Sequence, residues 1–499
     1  MKSLRNKTIF SILLVALVVF TSCKKNFLDI NADPNRVTAD NVTPELIFTQ
    51  AATAVGARQA TVNLRFLNQW MGYLAGPGDF AIDQTETSYN IDFQFGDAFW
   101  QNQYNVLFDL YQAKQKSFAE GDPVLAGASM ILSAKLWQEL VDIYGDVPYS
   151  QAFQNDVTRT PVYDKDVAIY ASLQKSLDTA VGYMKKTAKS TFKSVDVVNN
   201  GDQAKWIKFA NTLKLRLLIR QSQVSGFNPS SEIAKIVSNN TANILRSGGT
   251  VSENPGYADE TNKQSPFYAN YGFTSTGTDA NTSLRANVYL VNILTSTSDP
   301  RLKRIFAPLS NGSVVGATFG LFSGNPLGAN SSKFGPGLIG SASQDQWILT
   351  SVESLFLEAE AIARGWLAGN AQTAYINAVT ESFIWLGVPN AATAASTYMT
   401  NNAIANWANA GGTPLSQAKF IAFQKYIALA GLDPLETWAD LRRLNMIPNS
   451  GYISVNPSRI SNTLPLRLLY PQSEYTTNSE NVNGEGTINQ FTTKLFWEP

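Results

Sequence analysis

Histidine is missing from the 499-residue sequence, and only one cysteine is present. The lack of histidine excludes Ser-His-Asp and Cys-His catalytic sites, histidine metal sites and the usual near-neutral general base. A single cysteine excludes intrachain disulfides and cysteine-rich zinc or iron–sulfur sites. The sequence therefore predicts no cofactor and no metal site, and it leaves an enzyme mostly carboxylate, Ser-Lys or tyrosine chemistry.

Charged residues are also scarce, at 16% of the chain, against roughly 25% in typical soluble proteins. Hydrophobic residues reach 44% and aromatic residues 11%, so the chain can build a large core and charge-driven disorder is excluded. The 39 basic residues cancel the 39 acidic ones, which removes any broad electrostatic reason to expect a nucleic-acid partner. The length allows between one large domain and about three domains.

The N-terminus has the pattern of an export signal. Lys2, Arg5 and Lys7 precede an apolar run over residues 9–20. This run spans roughly 18 Å as a helix, too short for a hydrocarbon core of roughly 30 Å. Small residues then precede Cys23, which is predicted to be the lipidated first residue of the mature protein. The alternative is an ordinary secretory signal followed by an incidental thiol.

Three parts of unequal length follow from these patterns. Residues 1–22 are predicted to be the signal peptide, residues 23–43 a polar tether, and residues 44–499 a single domain. Hydrophobic stripes at helical spacing predict a scaffold of helix pairs over about 44–224 and 351–445. The stretch between them, about 225–350, is rich in Gly, Ser, Asn, Thr and Pro, and its aromatic clusters predict an irregular, ligand-binding face.

The fold class predicted from these patterns is mainly α with minor β. The stripes predict a first helix near Pro44 and others over 130–144, 167–184, 206–221, 355–366, 376–386, 419–429 and 435–444. The last of these begins with Asp433-Pro434-Leu435-Glu436, in which Asp433 can cap the helix and Glu436 can reach back to the cap amide. Recurring pairs predict a solenoid of tetratricopeptide type, irregular because no clean 34-residue repeat is present. Alternating aromatic and polar residues over 89–95 predict a strand.

A glycine motif in the central stretch has both a chemical and a structural interpretation. Gly335, Gly337 and Gly340 match the phosphate-binding pattern G-x-G-x-x-G, but Pro336 interrupts it and polar residues precede it, which predicts a plain loop.

Acidic and basic clusters in the C-terminal third are a separate case. Glu353, Glu358 and Glu360 could supply the carboxylates of a glycosidase. Glu358 and Glu360 point to different faces of a helix, so a solvated surface is the preferred interpretation. The arginines at 442–443 near Asp440 predict a structural ion pair or a partner contact.

Several segments, in a fixed order over nearly the whole mature chain, carry a family resemblance. They are Cys23-Lys24-Lys25-Asn26-Phe27-Leu28-Asp29, Leu136-Trp137 with Tyr144-Gly145-Asp146-Val147-Pro148-Tyr149, Thr160-Pro161 with Asp164, the helix over 206–220, Gln424-Lys425-Tyr426 with Trp438, Asp440 and Leu441-Arg442-Arg443, and Leu468-Leu469-Tyr470-Pro471 with Glu474 and Asn478. Together they resemble the SusD/RagB outer-membrane lipoproteins of Bacteroidetes, most closely the SusD-like branch associated with starch binding.

This resemblance implies a lipid-anchored protein of the outer membrane, facing outside, that binds a glycan or oligosaccharide nutrient without enzymatic activity. It implies delivery of that nutrient to a SusC-like TonB-dependent transporter, with tetratricopeptide-like helix pairs facing the transporter and a more irregular face holding the ligand. Three alternatives remain open. The ligand could be a peptide or another small nutrient, the chain could be a helical scaffold or adhesin without a small ligand, or it could be a carboxylate-dependent glycosidase.

Candidate ligand contacts come from the two irregular stretches. Sugar rings stack their C–H faces on aromatic rings, and their hydroxyls pair with Asp, Asn and Arg side chains. The candidates are Trp70, Tyr73, Asp79, Tyr89, Trp100, Tyr268, Asn270, Tyr271 and Arg285. For any single aromatic residue, packing in the core is the preferred interpretation. Tyr268, Asn270 and Tyr271 are the preferred candidates, because Pro266 and Gly272 flank them in a predicted loop.

Overall fold

A computed structural model describes residues 42–60, 64–154, 157–446 and 453–499. Pro44–Pro499 form one compact unit. The predicted signal peptide, the predicted lipidation site Cys23 and nearly all of the predicted tether lie outside the described residues.

Helices account for most of the regular secondary structure in the described chain, which confirms the mainly α class. The N-terminal helices are α1 (Pro44–Ala57), α2 (Arg65–Trp70), α3 (Gln84–Ser88), α4 (Asp97–Ala119), α5 (Pro123–Tyr144), α6 (Asp166–Met184), α7 (Phe192–Val195) and α8 (Gln203–Arg220). The central helices are short: α9 (Ser230–Ile236), α10 (Pro266–Tyr271), α11 (Val288–Ser296) and α12 (Leu302–Ile305). The C-terminal helices are α13 (Ser351–Ala363), α14 (Ala371–Trp385), α15 (Ala391–Asn401), α16 (Pro414–Ala428), α17 (Pro434–Arg443), α18 (Gln472–Thr477) and α19 (Ser479–Gly484).

Helix α5 shows why these segments fold as helices. Its first turn is capped by Asp122, whose carboxylate accepts from the Leu125 amide at 3.0 Å, and Pro123 takes the first helical position. The helix ends at Gly145, whose φ of 76° suits only glycine. Among the described residues, α5 is also the one helix long and apolar enough to span a membrane, but most of it is buried inside the protein, as in a core helix.

Consecutive helices pack side by side in two groups. In the N-terminal group α4 packs on α5, α5 on α6, and α6 on α8. In the C-terminal group α13 packs on α14 and α16, and α14 on α15. The contact of α8 with α13 joins the groups. The predicted irregular solenoid of tetratricopeptide-like helix pairs is thereby confirmed. The long helix α4 is an addition to the predicted helices.

A buried network of charged side chains holds the two groups together. Arg220 of α8 donates through Nη2 to Glu436 Oε2 at 2.6 Å and lies 3.1 Å from Asp142 Oδ2 of α5. Lys425 of α16 bonds to the other oxygen of Glu436 and lies 3.0 Å from Asp440. The cationic partners hold the pKa of Glu436 well below its usual range despite its burial. The network therefore links four helices through groups that water cannot reach.

Arg443 extends this network to α13. Its guanidinium donates to both carboxylate oxygens of Glu360, at 2.7 and 2.8 Å, and to Asp440 at 2.9 Å. The predicted ion pair at 442–443 is thus structural.

The predictions for three nearby glutamates were wrong. Glu353 and Glu360 are buried rather than solvated, because α13 is covered on both sides. Glu436 does not reach back to the cap amide, because the network holds its carboxylate; only Asp433 caps α17.

Short strands form four pairs, of which two join segments that are distant in sequence. They are β1 (Leu74–Ala75), β2 (Val147–Pro148), β3 (Tyr163–Asp164), β4 (Val237–Ser238), β5 (Thr241–Ala242), β6 (Val251–Glu253), β7 (Arg285–Ala286) and β8 (Gln346–Leu349). Each pair is antiparallel, in the order β1–β7, β2–β3, β4–β5 and β6–β8. The pairs β1–β7 and β6–β8 are the two that join distant segments. The strand predicted over 89–95 is wrong. That stretch is a turn in which the Asp92 carboxylate accepts from the amides of Gln94 and Phe95. Its alternation of aromatic and polar residues is not an alternation of burial, because Phe93 is 41% exposed.

Glu253 is a buried acid at the β6–β8 pair. Its side chain lies against Gly56 of α1 and accepts from the Tyr257 hydroxyl at 2.6 Å. Burial raises the pKa of Glu253 from 4.5 to about 8. The pKa of Glu253 is higher in the folded state than in the unfolded state. The contribution of its neutral carboxyl group to the free energy of unfolding is therefore fully present below pH 4.5. This contribution is lost as the pH rises through about 8.

Glu253→Gln should flatten the dependence of stability on pH. In the wild type, ionisation of Glu253 should lower the free energy of unfolding by about 1.4 kcal/mol per pH unit between about pH 4.5 and 8. An amide has the shape of the neutral acid but does not ionise, so the variant should lack this decrease. Urea unfolding at a series of pH values measures the slope. Glu260→Gln, which removes a carboxylate 60% exposed and paired only with Lys263, is the matched control and should keep the wild-type slope. Equal slopes for Glu253→Gln and wild type would contradict the prediction.

Candidate functional site

Three segments away from the helix pairs form one surface, which we call the loop face: residues 76–87, 279–285 and 307–333. The antiparallel pair of β1 and β7 brings the first two segments together, with Ala75 opposite Arg285. The third segment lies against both. Two clefts open here, and the predicted candidates Asp79 and Arg285 line one of them.

Backbone and side-chain hydrogen bonds attach residues 76–79 to the third segment. The Asn325 amide donates to the Gly76 carbonyl at 3.1 Å and to the Thr318 carbonyl at 3.0 Å. The Gly78 amide donates to the Pro326 carbonyl at 2.9 Å. Because a Cβ at Gly78 would collide with the Asn325 backbone, this close approach requires glycine.

The first cleft, which we call the Asp79 cleft, has a volume of about 380 Å³. Its charged lining consists of two acids, Asp79 and Asp279, and two bases, Arg285 and Lys333. Asp79 is oriented by the Gly328 amide, which donates to its Oδ1 at 2.9 Å. Serine hydroxyls and backbone groups complete the wall, so the cleft offers donors and acceptors of both signs.

Arg285 is the most constrained group in this cleft. Its Nε donates to the Gly328 carbonyl at 3.0 Å, and Nη1 donates to the carbonyls of Asn281 and Leu284 at 2.9 and 2.8 Å. Nη2 lies 3.8 Å from Asp279. Burial lowers the pKa of Arg285, and the two aspartates oppose this shift. The guanidinium therefore has a fixed orientation, and mainly Nη2 is directed at the cleft.

Lys333 connects the cleft to an aromatic ring. Its ammonium group pairs with Asp279 and lies 3.9 Å from the centroid of the Phe273 ring, within cation–π range. The ring of Tyr268 lies 6.3 Å from that of Phe273. Tyr268 is half-buried and does not line the cleft. It lies at the margin of the loop face.

The second cleft, which we call the Glu86 cleft, is smaller, at about 100 Å³. Glu86 accepts from Arg65 Nη2 at 3.2 Å and from the Gln69 amide. Burial raises the pKa of Glu86, against the opposing effect of Arg65. Phe80 forms part of its wall. Polar groups and an aromatic ring thus lie side by side here too.

Exposed rings on this face were missed by the sequence analysis. Phe80 is 41% exposed and Phe322 is 53% exposed, although rings of this size are usually buried. Phe322 lies in a tight turn between Gly320 and Gly324, which have φ values of 81° and 94°. An aromatic residue between two closely spaced glycines was the signal that could have identified Phe322.

Four of the aromatic candidates are core residues. Trp70, Tyr73 and Tyr89 are fully buried, and Trp100 is 5% exposed. The ring of Trp70 stacks on Phe95 and contacts other rings edge to face. With no exposed ring face, Trp70, Tyr73 and Tyr89 cannot stack on a sugar in this conformation, and the core interpretation applies to them. Trp100 packs against Tyr104 and Tyr144 and only borders a cleft away from the loop face.

The favoured group around residue 270 is a short helix, α10, and not the predicted loop. Tyr271 is buried, with its ring 4.9 Å from Phe267 and 5.3 Å from Phe334. The Asn270 side chain donates to the Pro266 carbonyl of its own helix at 2.8 Å. Among these three candidates, Tyr268 is the one that stays near the loop face.

In the described part of the chain, no group of three or more acidic or cysteine side chains is placed to hold a metal ion.

Gly78→Ala should detach residues 76–79 from the third segment, because the added Cβ meets the Asn325 backbone. The amides of Thr318 and Gly328, which donate to Asn325 and Asp79, should lose at least about tenfold of their protection against hydrogen exchange. Gly182→Ala is the control, since a Cβ on this α6 glycine has no atom within 4 Å, and it should leave both amides unchanged. Unchanged protection in Gly78→Ala would contradict the proposed attachment.

Comparison with known proteins places these features in a family. No protein of curated function is a significant match to the chain. Among solved structures, a SusD/RagB family protein of Bacteroides thetaiotaomicron has a TM-score of 0.74 at 20% identity, covering 92% of this chain and 99% of its own. A chitin-binding SusD homologue of Flavobacterium johnsoniae has a TM-score of 0.72 at 21% identity, with 90% and 98% covered. Another chitin-binding protein reaches 26% identity and a TM-score of 0.70, with 91% and 99% covered.

The SusD-like family model, described as starch-binding and associating with the outer membrane, matches residues 34–471. This span includes the helix pairs and the whole loop face. The chain therefore belongs to the SusD-like family.

Proposed function

We propose that this protein captures a glycan or oligosaccharide nutrient on the loop face and delivers it to a SusC-like TonB-dependent transporter of the outer membrane. The observation that carries the proposal is that one surface combines exposed rings with a polar cleft: Phe80 lies on the wall of the Glu86 cleft, Phe322 is exposed between Gly320 and Gly324, and the Asp79 cleft is lined by two acids and two bases. Rings bind the apolar faces of a sugar, and fixed polar groups bind its hydroxyls.

Binding without catalysis is part of this proposal. A glycosidase needs two carboxyl groups on either side of the scissile bond. Glu353 and Glu360 are paired with Arg216 and Arg443 inside the helix scaffold. At the loop face, Asp79 and Asp279 lie near Arg285, and Asp279 also pairs with Lys333. The acids of both regions are thus engaged by cationic partners.

Starch and chitin oligosaccharides are the first ligands to test, because the family model names starch and two relatives are chitin-binding. Replacing both exposed rings, Phe80→Ala with Phe322→Ala, should weaken the binding of the preferred glycan at least about tenfold, or about 1.4 kcal/mol. The loss reflects removal of the stacking surface. Isothermal titration calorimetry measures the affinity, and affinity electrophoresis against a polysaccharide panel selects the ligand.

Phe118→Ala is the matched control for the double variant. Phe118 is 40% exposed, close to the exposure of Phe80, but it lies on α4 beside Tyr183. Its replacement should leave glycan affinity unchanged. Full retention of binding by the Phe80 and Phe322 variant would contradict the location of the site, and failure to bind any glycan would contradict the ligand class.

A peptide or another small charged nutrient is the second candidate ligand. It is favoured by the two acids and two bases that line the Asp79 cleft, because charged groups of both signs match the two termini of a peptide. Such binding should depend more on Arg285 and Asp79 than on the exposed rings.

Anchoring through Cys23 is the remaining part of the proposal, and it rests on the sequence pattern alone. A lipid chain stabilises membrane binding by about 0.8 kcal/mol per buried CH₂ group. Cys23→Ser should therefore move the protein from the membrane to the soluble fraction and abolish labelling with a fatty-acid analogue, while glycan affinity stays the same. Persistent labelling of Cys23→Ser would contradict lipidation at this residue.

Co-purification of a TonB-dependent transporter from solubilised membranes tests the delivery step.

A further inference from the structure

A cleft on the helix scaffold, which we call the Lys114 cleft, lies among segments that the proposed function does not use. Helices α4, α5 and α6 form its base, and the loop over residues 149–154 forms one wall. Its volume is about 250 Å³, slightly below the range of about 300–1,000 Å³ that suits drug-sized ligands. A cleft of this size holds about one sugar ring.

Aromatic rings supply most of the apolar wall. Tyr111, Trp137, Tyr149 and Phe153 line the cleft. The ring of Phe153 lies 5.5 Å from Tyr111 and 6.1 Å from Trp137, and the ring of Trp137 lies 4.9 Å from Tyr149. Tyr111, Tyr149 and Phe153 are only half-buried, so part of each ring is accessible from the cleft.

The backbone of Phe153 is strained. Its φ is 67°, in the left-handed region that bulky residues rarely adopt. Such strain persists only where the surroundings impose it, and it concentrates at ligand sites. Here the surrounding rings of the cleft hold the side chain in place.

Among the described residues that line the cleft, Lys114 is the one with a charged side chain. Its ammonium group lies 5.1 Å from the centroid of the Tyr111 ring. Among the described residues it has no salt-bridge partner, and burial lowers its pKa without an opposing acid. Asp164, close to the loop wall, accepts from the Tyr149 and Ser150 amides and the Ser150 hydroxyl and does not line the cleft. Within the described part of the chain, the positive charge of Lys114 therefore has no paired acid in the cleft.

Small polar groups surround the apolar wall. Ser133, Ser176 and Gln154 line the cleft. The Ser133 hydroxyl donates to the Ser129 carbonyl, and the Gln154 amide donates to the Ser150 carbonyl. Both side chains thus keep an oxygen that can accept a hydrogen bond. The hydroxyls of a sugar ring can donate to these oxygens, whereas a purely aromatic acid has no hydroxyl to do so.

We propose that the Lys114 cleft binds a uronic acid residue of an acidic glycan. The carboxylate lies at the Lys114 ammonium group, and the sugar ring packs between Tyr111 and Phe153. The sugar hydroxyls face Ser133, Ser176 and Gln154. This site shares no lining residue with the loop face, so it gives the protein a second contact, selective for charge, on a ligand or on a neighbouring polysaccharide.

Methyl glucuronide and methyl glucoside test the proposal directly, because they differ only in the carboxylate. Titration of the full-length protein in detergent, followed by saturation-transfer NMR, should show glucuronide binding at least about tenfold tighter than glucoside binding. Benzoate, which has the charge but no hydroxyls, should also bind more weakly than the glucuronide. Equal binding of the two sugars, tighter binding of benzoate, or no glucuronide binding up to about 10 mM would overturn the proposal.

Charge variants locate the site. Lys114→Met should weaken glucuronide binding at least about tenfold, equal to about 1.4 kcal/mol, and Lys114→Arg should restore most of it. Lys175→Met is the matched control. Lys175 is an exposed lysine of α6 next to Ser176, outside the cleft lining, and its loss should change little. Unchanged affinity in Lys114→Met, with a native circular dichroism spectrum, would overturn the assignment.

The loop-face variant separates this inference from the proposed function. Phe80→Ala with Phe322→Ala should leave glucuronide binding at the Lys114 cleft intact. Loss of glucuronide binding in that variant, with retention in Lys114→Met, would place the acidic sugar on the loop face and overturn the second site.

Discussion

Burial of paired charges between helices is the constraint on which the rest of this structure depends. Arg220, Lys425 and Arg443 lie on three different helices, and each bonds to an acid from at least one other helix. Such charges are expensive to remove from water, and they remain there only if every partner is present at the right distance. Loss of one partner would leave an uncompensated buried charge, typically at a cost of about 3–5 kcal/mol. The network thus specifies which helices meet.

Because the helical scaffold is held together by its own charged network, it does not depend on the loops for stability. The loops need only be attached to it. The loop face is attached by few bonds, among them the Asn325 side chain on Gly76 and Thr318 and the Gly328 amide on Asp79. Substitutions elsewhere on this face would leave the charged network untouched. This arrangement fits a family in which proteins of about 20% identity share the fold, because the ligand-facing residues can change without changing the scaffold.

The helical scaffold could be predicted from the sequence, because a buried helix face repeats every 3.6 residues and is visible locally. The partners of the charged residues could not. Glu360 pairs with Arg443, 83 residues away, and no local pattern distinguishes that acid from a solvated one. The same limit applied to the aromatic residues. Trp70 and Phe80 occur in the same stretch, yet Trp70 contacts Trp438 in the core and Phe80 is exposed. Asp79 and Arg285 were predicted as candidates because both are polar residues of irregular segments, but their meeting in one cleft depends on the pairing of β1 with β7, which the sequence does not show.

The pairing of Leu74 with Ala286 has a consequence for biogenesis. These two positions are separated by more than 200 residues, so this contact cannot form until the central part of the chain has been synthesised and exported. Helices α4 to α6, in contrast, contact their sequence neighbours and can assemble early, since local contacts form fastest. We expect the surface that holds the ligand to be completed late in folding, when the helical framework beneath it is already in place.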